Sequence, residues 1–215
     1  MLTLPSLYAI LDVDLVAARG RQPVDVCRAW LSAGIRLVQL RAKSLPSGPF
    51  LEVAGRCAQM CRDTGATFLV NDRADLAVMC GADGVHVGQD DLGPADVRMI
   101  AGANAIVGLS THDDAQVAVA ADQPVSYLAI GPVFGTQTKE TGLAAVGLAQ
   151  VRRAAAAAHK AGLPLVAIGG ITRERSASVL DAGADAVAAI ADLLPTNPAE
   201  PADARVRLWL ARTVR

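Results

Sequence analysis

The segment TFLVNDRADLAVMCGADGVHVGQDDL, residues 67–92, decides how the rest of the chain is read. It holds two short β-prone runs, TFLVND and GVHVGQ, and polar residues gather at the end of each: Asn71 and Asp72 after the first, Gln89, Asp90 and Asp91 after the second. Buried strands of a parallel sheet read this way, as short apolar runs without strict alternation. The Gly-punctuated apolar run between them reads as too short to be a helix, although Asp72, Arg73 and Asp75 could open one by favouring its N-terminal dipole. Asp83, in GAD just before the second run, fits a turn at the opposite end of the sheet, and Asp185 repeats that pattern.

Outward from this segment the same unit recurs. Further apolar runs lie at LYAILD (7–12), LVQLRAK (37–43), AIVGLS (105–110), YLAIGP (127–132), PLVAIGG (164–170) and AVAAIAD (186–192), which brings the total to eight. Ala-rich amphipathic segments separate them, and four of these end on Gly34, Gly65, Gly162 and Gly183, residues suited to stopping a helix. Strands alternating with helices at intervals of roughly 20 to 35 residues imply βαβ units and a parallel sheet. Eight units in 215 residues predict a single-domain (β/α)8 TIM barrel over 1–215, with a Pro-rich loop at 195–203 before the last helix. The rival fold, a doubly wound open sheet, usually carries a Gly-rich turn after its first strand, whereas LYAILD is followed only by VDLVAARG.

Composition removes several function classes. A chain of this length buries enough core to need neither disulfides nor structural metals. Cys27, Cys57, Cys61 and Cys80 form no C-x-x-C pair and read as reduced, buried thiols. A net charge of −1, with two Trp, two Tyr and three Phe, offers no basic footprint and little stacking surface for nucleic acid. The N-terminal MLTLPSLYAILDVDL lacks a cationic leader, and no window reaches about 18 uninterrupted apolar residues. A soluble, cytoplasmic protein without nucleic-acid or membrane partners is expected.

In a barrel, ligands meet the loops at the carboxyl ends of the strands. Those ends are polar here. The second strand ends in Gln39, Arg41 and Lys43, the first two on one face because side chains repeat every two residues. Asn71 and Asp72 end the third strand, Asp91 follows the fourth, and Ser110 ends the fifth with His112 beyond it. GPVFGTQTK brings Thr136, Thr138 and Lys139 after the sixth, and in GGIT after the seventh Gly169 and Gly170 leave backbone N–H groups uncovered. Asp72 and Asp91, at the ends of adjacent strands, can converge on one hard divalent cation such as Mg²⁺. Arg41, Lys43 and Lys139 would place positive charge around the same anion, and the glycines with the following helix make the usual barrel phosphate pocket. His86, between Gly84 and Gly88, suits a satisfied core position as well as a ligand contact, His112 a helix start as well as a proton carrier, and Arg152 and Lys160 a solvated face. Solvation alone does not explain so many polar groups at the same end of consecutive strands.

This ordered set resembles the thiamine-phosphate synthase family: QLRAK, FLVNDRADLA, GADGVHVGQDDL, GLSTH, GPVFGTQTK and VAIGGI carry the likeness from about Leu7 to Leu194. The resemblance implies an enzyme that joins hydroxymethylpyrimidine diphosphate to thiazole phosphate and releases pyrophosphate with Mg²⁺ as cofactor. Carried over by position, Gln39, Arg41, Lys43 and Asn71 would meet the pyrimidine substrate and its diphosphate, and Asp72 and Asp91 would hold Mg²⁺. Ser110, Thr136, Thr138 and Lys139 would surround the diphosphate and thiazole, and Gly170 would give its N–H to the thiazole phosphate. Arg41, Lys43, Ser110 and Lys139 form the catalytic set. Two departures stand out: Gly135 where the family commonly has Pro, and Ala191 where a Ser hydroxyl is common.

The implied course is largely dissociative, and it accounts for the lack of a nucleophile-elbow serine or a Cys–His pair. Related thiazole tautomerases supply an alternative, an isomerase working through an acid–base residue such as His112. A non-catalytic phosphate-ligand binder is a third reading. Barrels of this kind often pair, so a homodimer is an expectation too.

Overall fold

The structure, a computed structural model, describes residues 2–135 and 144–213. Its strands are β1 (Leu7–Asp12), β2 (Leu37–Arg41), β3 (Thr67–Asn71), β4 (Gly84–Val87), β5 (Ile106–Thr111), β6 (Tyr127–Ile130), β7 (Leu165–Ile168) and β8 (Ala186–Ala189). Each pairs in parallel with the next, and β8 pairs with β1 to close the barrel. Around it lie α1 (Val13–Ala18), α2 (Pro23–Ala33), α3 (Ser47–Thr64), α4 (Ala74–Cys80), α5 (Pro94–Ala101), α6 (Asp114–Ala121), α7 (Gly147–Lys160), α8 (Arg173–Asp181) and α9 (Ala204–Thr213). The (β/α)8 expectation is met. One element differs from it: the run after Asp72, read as too short for a helix, forms the two-turn α4, because Ala74, Leu76, Ala77 and Cys80 bury one face and Gly81 ends it at φ 69°.

Strand periodicity divides the barrel wall. Alternate residues such as Ala9, Leu11, Val38, Leu40 and Val70 pack outward under the helices. The intervening set, including Tyr8, Ile10, Leu37, Leu69 and Tyr127, fills the barrel interior. Continuing the inner parity toward the carboxyl ends gives Asp12, Gln39, Arg41, Asn71, His86 and Ser110, so one face of each strand passes from apolar filling to polar chemistry.

At the opposite end, Asp83 Oδ2 accepts from Phe68 N–H at 2.7 Å and Asp185 Oδ2 from Leu165 N–H at 2.7 Å, the turn roles expected of the GAD repeats. All four cysteines are buried and unbridged. The 195–203 loop is pinned by Arg21, which donates to the carbonyls of Asn197 at 3.1 Å and Glu200 at 2.6 Å, and by Trp30, which donates to Ala202 at 3.2 Å. Among the described residues no helix is long and apolar enough to cross a membrane.

Candidate active site

Parallel register sets Asp12 opposite Arg41 at the ends of β1 and β2. Asp12 is 3% exposed and divides its carboxylate: Oδ1 accepts the Leu15 N–H at 3.0 Å, capping α1, and Oδ2 accepts Arg41 Nη1 at 2.5 Å. The guanidinium is thereby held against the barrel wall, while its buried Nε has no hydrogen-bond partner among the described residues.

Beside it, Lys43 Nζ lies 3.1 Å from Asp72 Oδ2. Asp72 is the one non-glycine residue with positive φ among those described, at 65°, and its N–H donates to the His86 carbonyl at 2.9 Å. Asp91 stands in the loop after β4, its Oδ2 accepting from Gly88 N–H at 2.8 Å. Burial pushes the Asp72 carboxyl above the usual range, and the neighbouring Asp91 carboxylate pushes it the same way against the pull of Lys43. A cation between the two side chains would relieve the strain on the Asp72 carboxylate. Their hard oxygens are of the kind that Mg²⁺ takes, its other positions being filled by water and substrate oxygens; among the described residues no group of three or more His, Cys, Asp or Glu could hold a metal.

The barrel interior below contains a polar chain. Gln39 Nε2 donates to the Tyr8 hydroxyl at 2.6 Å, which lies 3.0 Å from the Tyr127 hydroxyl. That oxygen lies 2.8 Å from His86 Nδ1, and His86 Nε2 lies 2.8 Å from Ser110 Oγ. His112 stands apart, its Nδ1 2.6 Å from the Gly131 carbonyl and its N–H on Gln116.

Across the same end, between β7 and β8, a cavity of about 540 Å³ is lined by Gly169, Gly170, Ile171 and Thr172 ahead of α8 and by residues 189–192 after β8. Gly170 sits at φ 61°, and a Cβ there would come within 2.5 Å of the Gly135 carbonyl, so only glycine lets the two loops meet. Arg19, Arg175 and Arg205 line it as well. Arg19 donates to the Ala191 carbonyl at 3.0 Å, Arg205 to Asp192 Oδ1 at 2.5 Å, and Arg175 lies over the Phe134 ring at 4.7 Å while donating to the Gly170 carbonyl at 3.2 Å.

Gln39, Arg41, Lys43, Asn71, Asp72, Asp91 and Ser110 thus share the β2–β5 end, with Gly170 in the second cavity. Thr136, Thr138 and Lys139 lie outside the described residues. Sequence reasoning missed Asp12, Tyr8, Tyr127 and the three arginines. Tyr8 and Tyr127 were findable: they are the chain's two tyrosines, and each opens or nearly opens a strand at an inward position.

The thiamine monophosphate synthase family model matches residues 7–193. The chain is 44% identical over 200 residues to a thiamine-phosphate synthase of Koribacter versatilis, covering 90% of each chain. It is 40% identical over 208 residues to that of Pelotomaculum thermopropionicum, covering 94% of this chain and 92% of the other. A thiamine phosphate pyrophosphorylase from Pyrococcus furiosus superposes with a TM-score of 0.80 at 29% identity, covering 98% of this chain and 97% of that one.

Proposed function

Because the chain belongs to the thiamine monophosphate synthase family, we propose that it joins a hydroxymethylpyrimidine diphosphate to a thiazole phosphate, releasing pyrophosphate. The observation that carries the reading is the Asp72–Asp91 pair with Lys43 and the half-satisfied Arg41 at its side: acids for a cation next to cations for an anion. Mg²⁺ held by Asp72 and Asp91 would neutralise charge building on the departing diphosphate. Arg41, fixed by Asp12, would turn its exposed N–H groups to the same oxygens, and Lys43, now paired with Asp72, would reach phosphate. Gln39 and Asn71, buried at 1% and 7% exposure, present amides to the pyrimidine edge.

The carbon–oxygen bond to diphosphate breaks while the electron-rich aminopyrimidine shares the positive charge, and the thiazole ring nitrogen then forms the new carbon–nitrogen bond. No protein nucleophile takes part. The β7–β8 cavity takes the thiazole phosphate on the N–H groups around Gly170 and the start of α8. Arg175 and Arg19 supply charge where Ala191 lacks a hydroxyl. Lys139, Thr136 and Thr138 complete the contacts to diphosphate and thiazole. The test is pyrophosphate release measured with each substrate alone and with the two together: release requires both and requires Mg²⁺. Equal release without the thiazole phosphate would refute the synthase reading.

A further inference from the structure

Five side chains from five strands make the chain Gln39, Tyr8, Tyr127, His86 and Ser110, buried except at its half-buried Ser110 end, and its hydrogens can be assigned from one end. An amide nitrogen only donates, so the Tyr8 oxygen accepts from Gln39. Tyr8 then donates to Tyr127, and Tyr127 to His86 Nδ1. A ring nitrogen that accepts carries no proton, so the neutral imidazole keeps its proton on Nε2 and donates it to Ser110 Oγ. The Ser110 hydroxyl hydrogen is left for an acceptor at the mouth of the barrel.

Packing preserves this order. Tyr8 and Tyr127 are 1% and 0% exposed, and burial pushes their phenols above the usual range, so their hydrogens stay in place. His86 and Tyr127 stack with centroids 5.5 Å apart. Gly108 makes room for them: a Cβ there would lie 2.1 Å from the Tyr127 ring and 2.5 Å from His86 Nδ1. The other tautomer, with its proton on Nδ1, would turn the Tyr127 hydrogen toward Tyr8, and the Tyr8 hydrogen would then find no acceptor among these five side chains.

We propose that His86 is a positioning residue that, through this one-way chain, fixes Ser110 as a hydrogen-bond donor to a phosphate oxygen at the carboxyl end of β5. Its kinetic part rests on the synthase reading above; its structural part does not. Nitrogen NMR on the chain carrying His112→Gln and His159→Gln, which leaves His86 as its one histidine, reads the ring directly without substrate. The expected result at neutral pH is a proton on Nε2 and none on Nδ1. A proton on Nδ1, or an imidazolium, overturns the proposal even in a chain without synthase activity. In the assay, Tyr127→Phe keeps the stack but removes the donor to Nδ1, and kcat should fall about tenfold with KM within about twofold. The same substitution in a Ser110→Ala background should leave kcat unchanged, because the chain acts through that hydroxyl. An equal fall in the two backgrounds would mean that Tyr127 merely holds the barrel together.

Discussion

Asp72 is held where its charge is least comfortable. Its φ of 65° belongs to the left-handed region, which Asp tolerates better than most residues, and burial and Asp91 raise its pKa. A carboxyl whose folded pKa is raised contributes stability below its unfolded pKa and loses it as pH rises, so at neutral pH the ionised group opposes folding. Asp72→Asn, which keeps the left-handed backbone and removes the repulsion, should therefore melt higher than the unaltered chain in chelator. Adding Mg²⁺ should reverse the order: at about 100 Kd the unaltered chain gains about 2.7 kcal/mol and the variant gains little. Thermal melts with and without Mg²⁺ decide it. The buried phenols give a second test. Their raised pKa values mean that stability is present below the unfolded tyrosine value of about 10 and falls as pH rises past it. Since the chain has two tyrosines, tyrosinate absorbance should stay flat until the helical circular dichroism collapses, then rise with it. A smooth titration near pH 10 in the folded protein would contradict the burial.

Strands and loops differ in how far they could be read. Each strand announced itself through a short apolar run, and the parity that places Gln39 beside Arg41 also puts Asn71, His86 and Ser110 on the inner face. Helix α4 escaped because seven residues hold too few turns to show a period. Asp12 escaped because its meaning lies in Arg41, a neighbour only after β1 and β2 pair. Tyr8 and Tyr127 are 119 residues apart and meet only when the barrel closes. Two glycines separate packing from looseness. Gly108→Ala drives a methyl into Tyr127 and should cost about 1–3 kcal/mol, whereas Gly135→Ala meets nothing within 4 Å among the described residues and should gain about 0.4–1 kcal/mol by restricting the unfolded chain. Urea unfolding of the two variants checks the pair, and equal effects would show that the Gly108 crowding is not real.

Closure of eight strands brings two unlike sites to one rim. The β2–β5 side gathers acids and cations over a buried polar chain, and the β7–β8 side offers a backbone-lined cavity with arginines around it. On the proposed reading, one side would take the departing diphosphate with its cation and the other the monophosphate of the incoming partner, with the packed interior beneath holding the two in place. The most direct test is the Mg²⁺ dependence of pyrophosphate release by Asp91→Asn with both substrates saturating. The paired-carboxylate account predicts that kcat falls by about 10² or more and that the Mg²⁺ requirement moves to higher concentration. An unchanged rate at an unchanged Mg²⁺ requirement would contradict it.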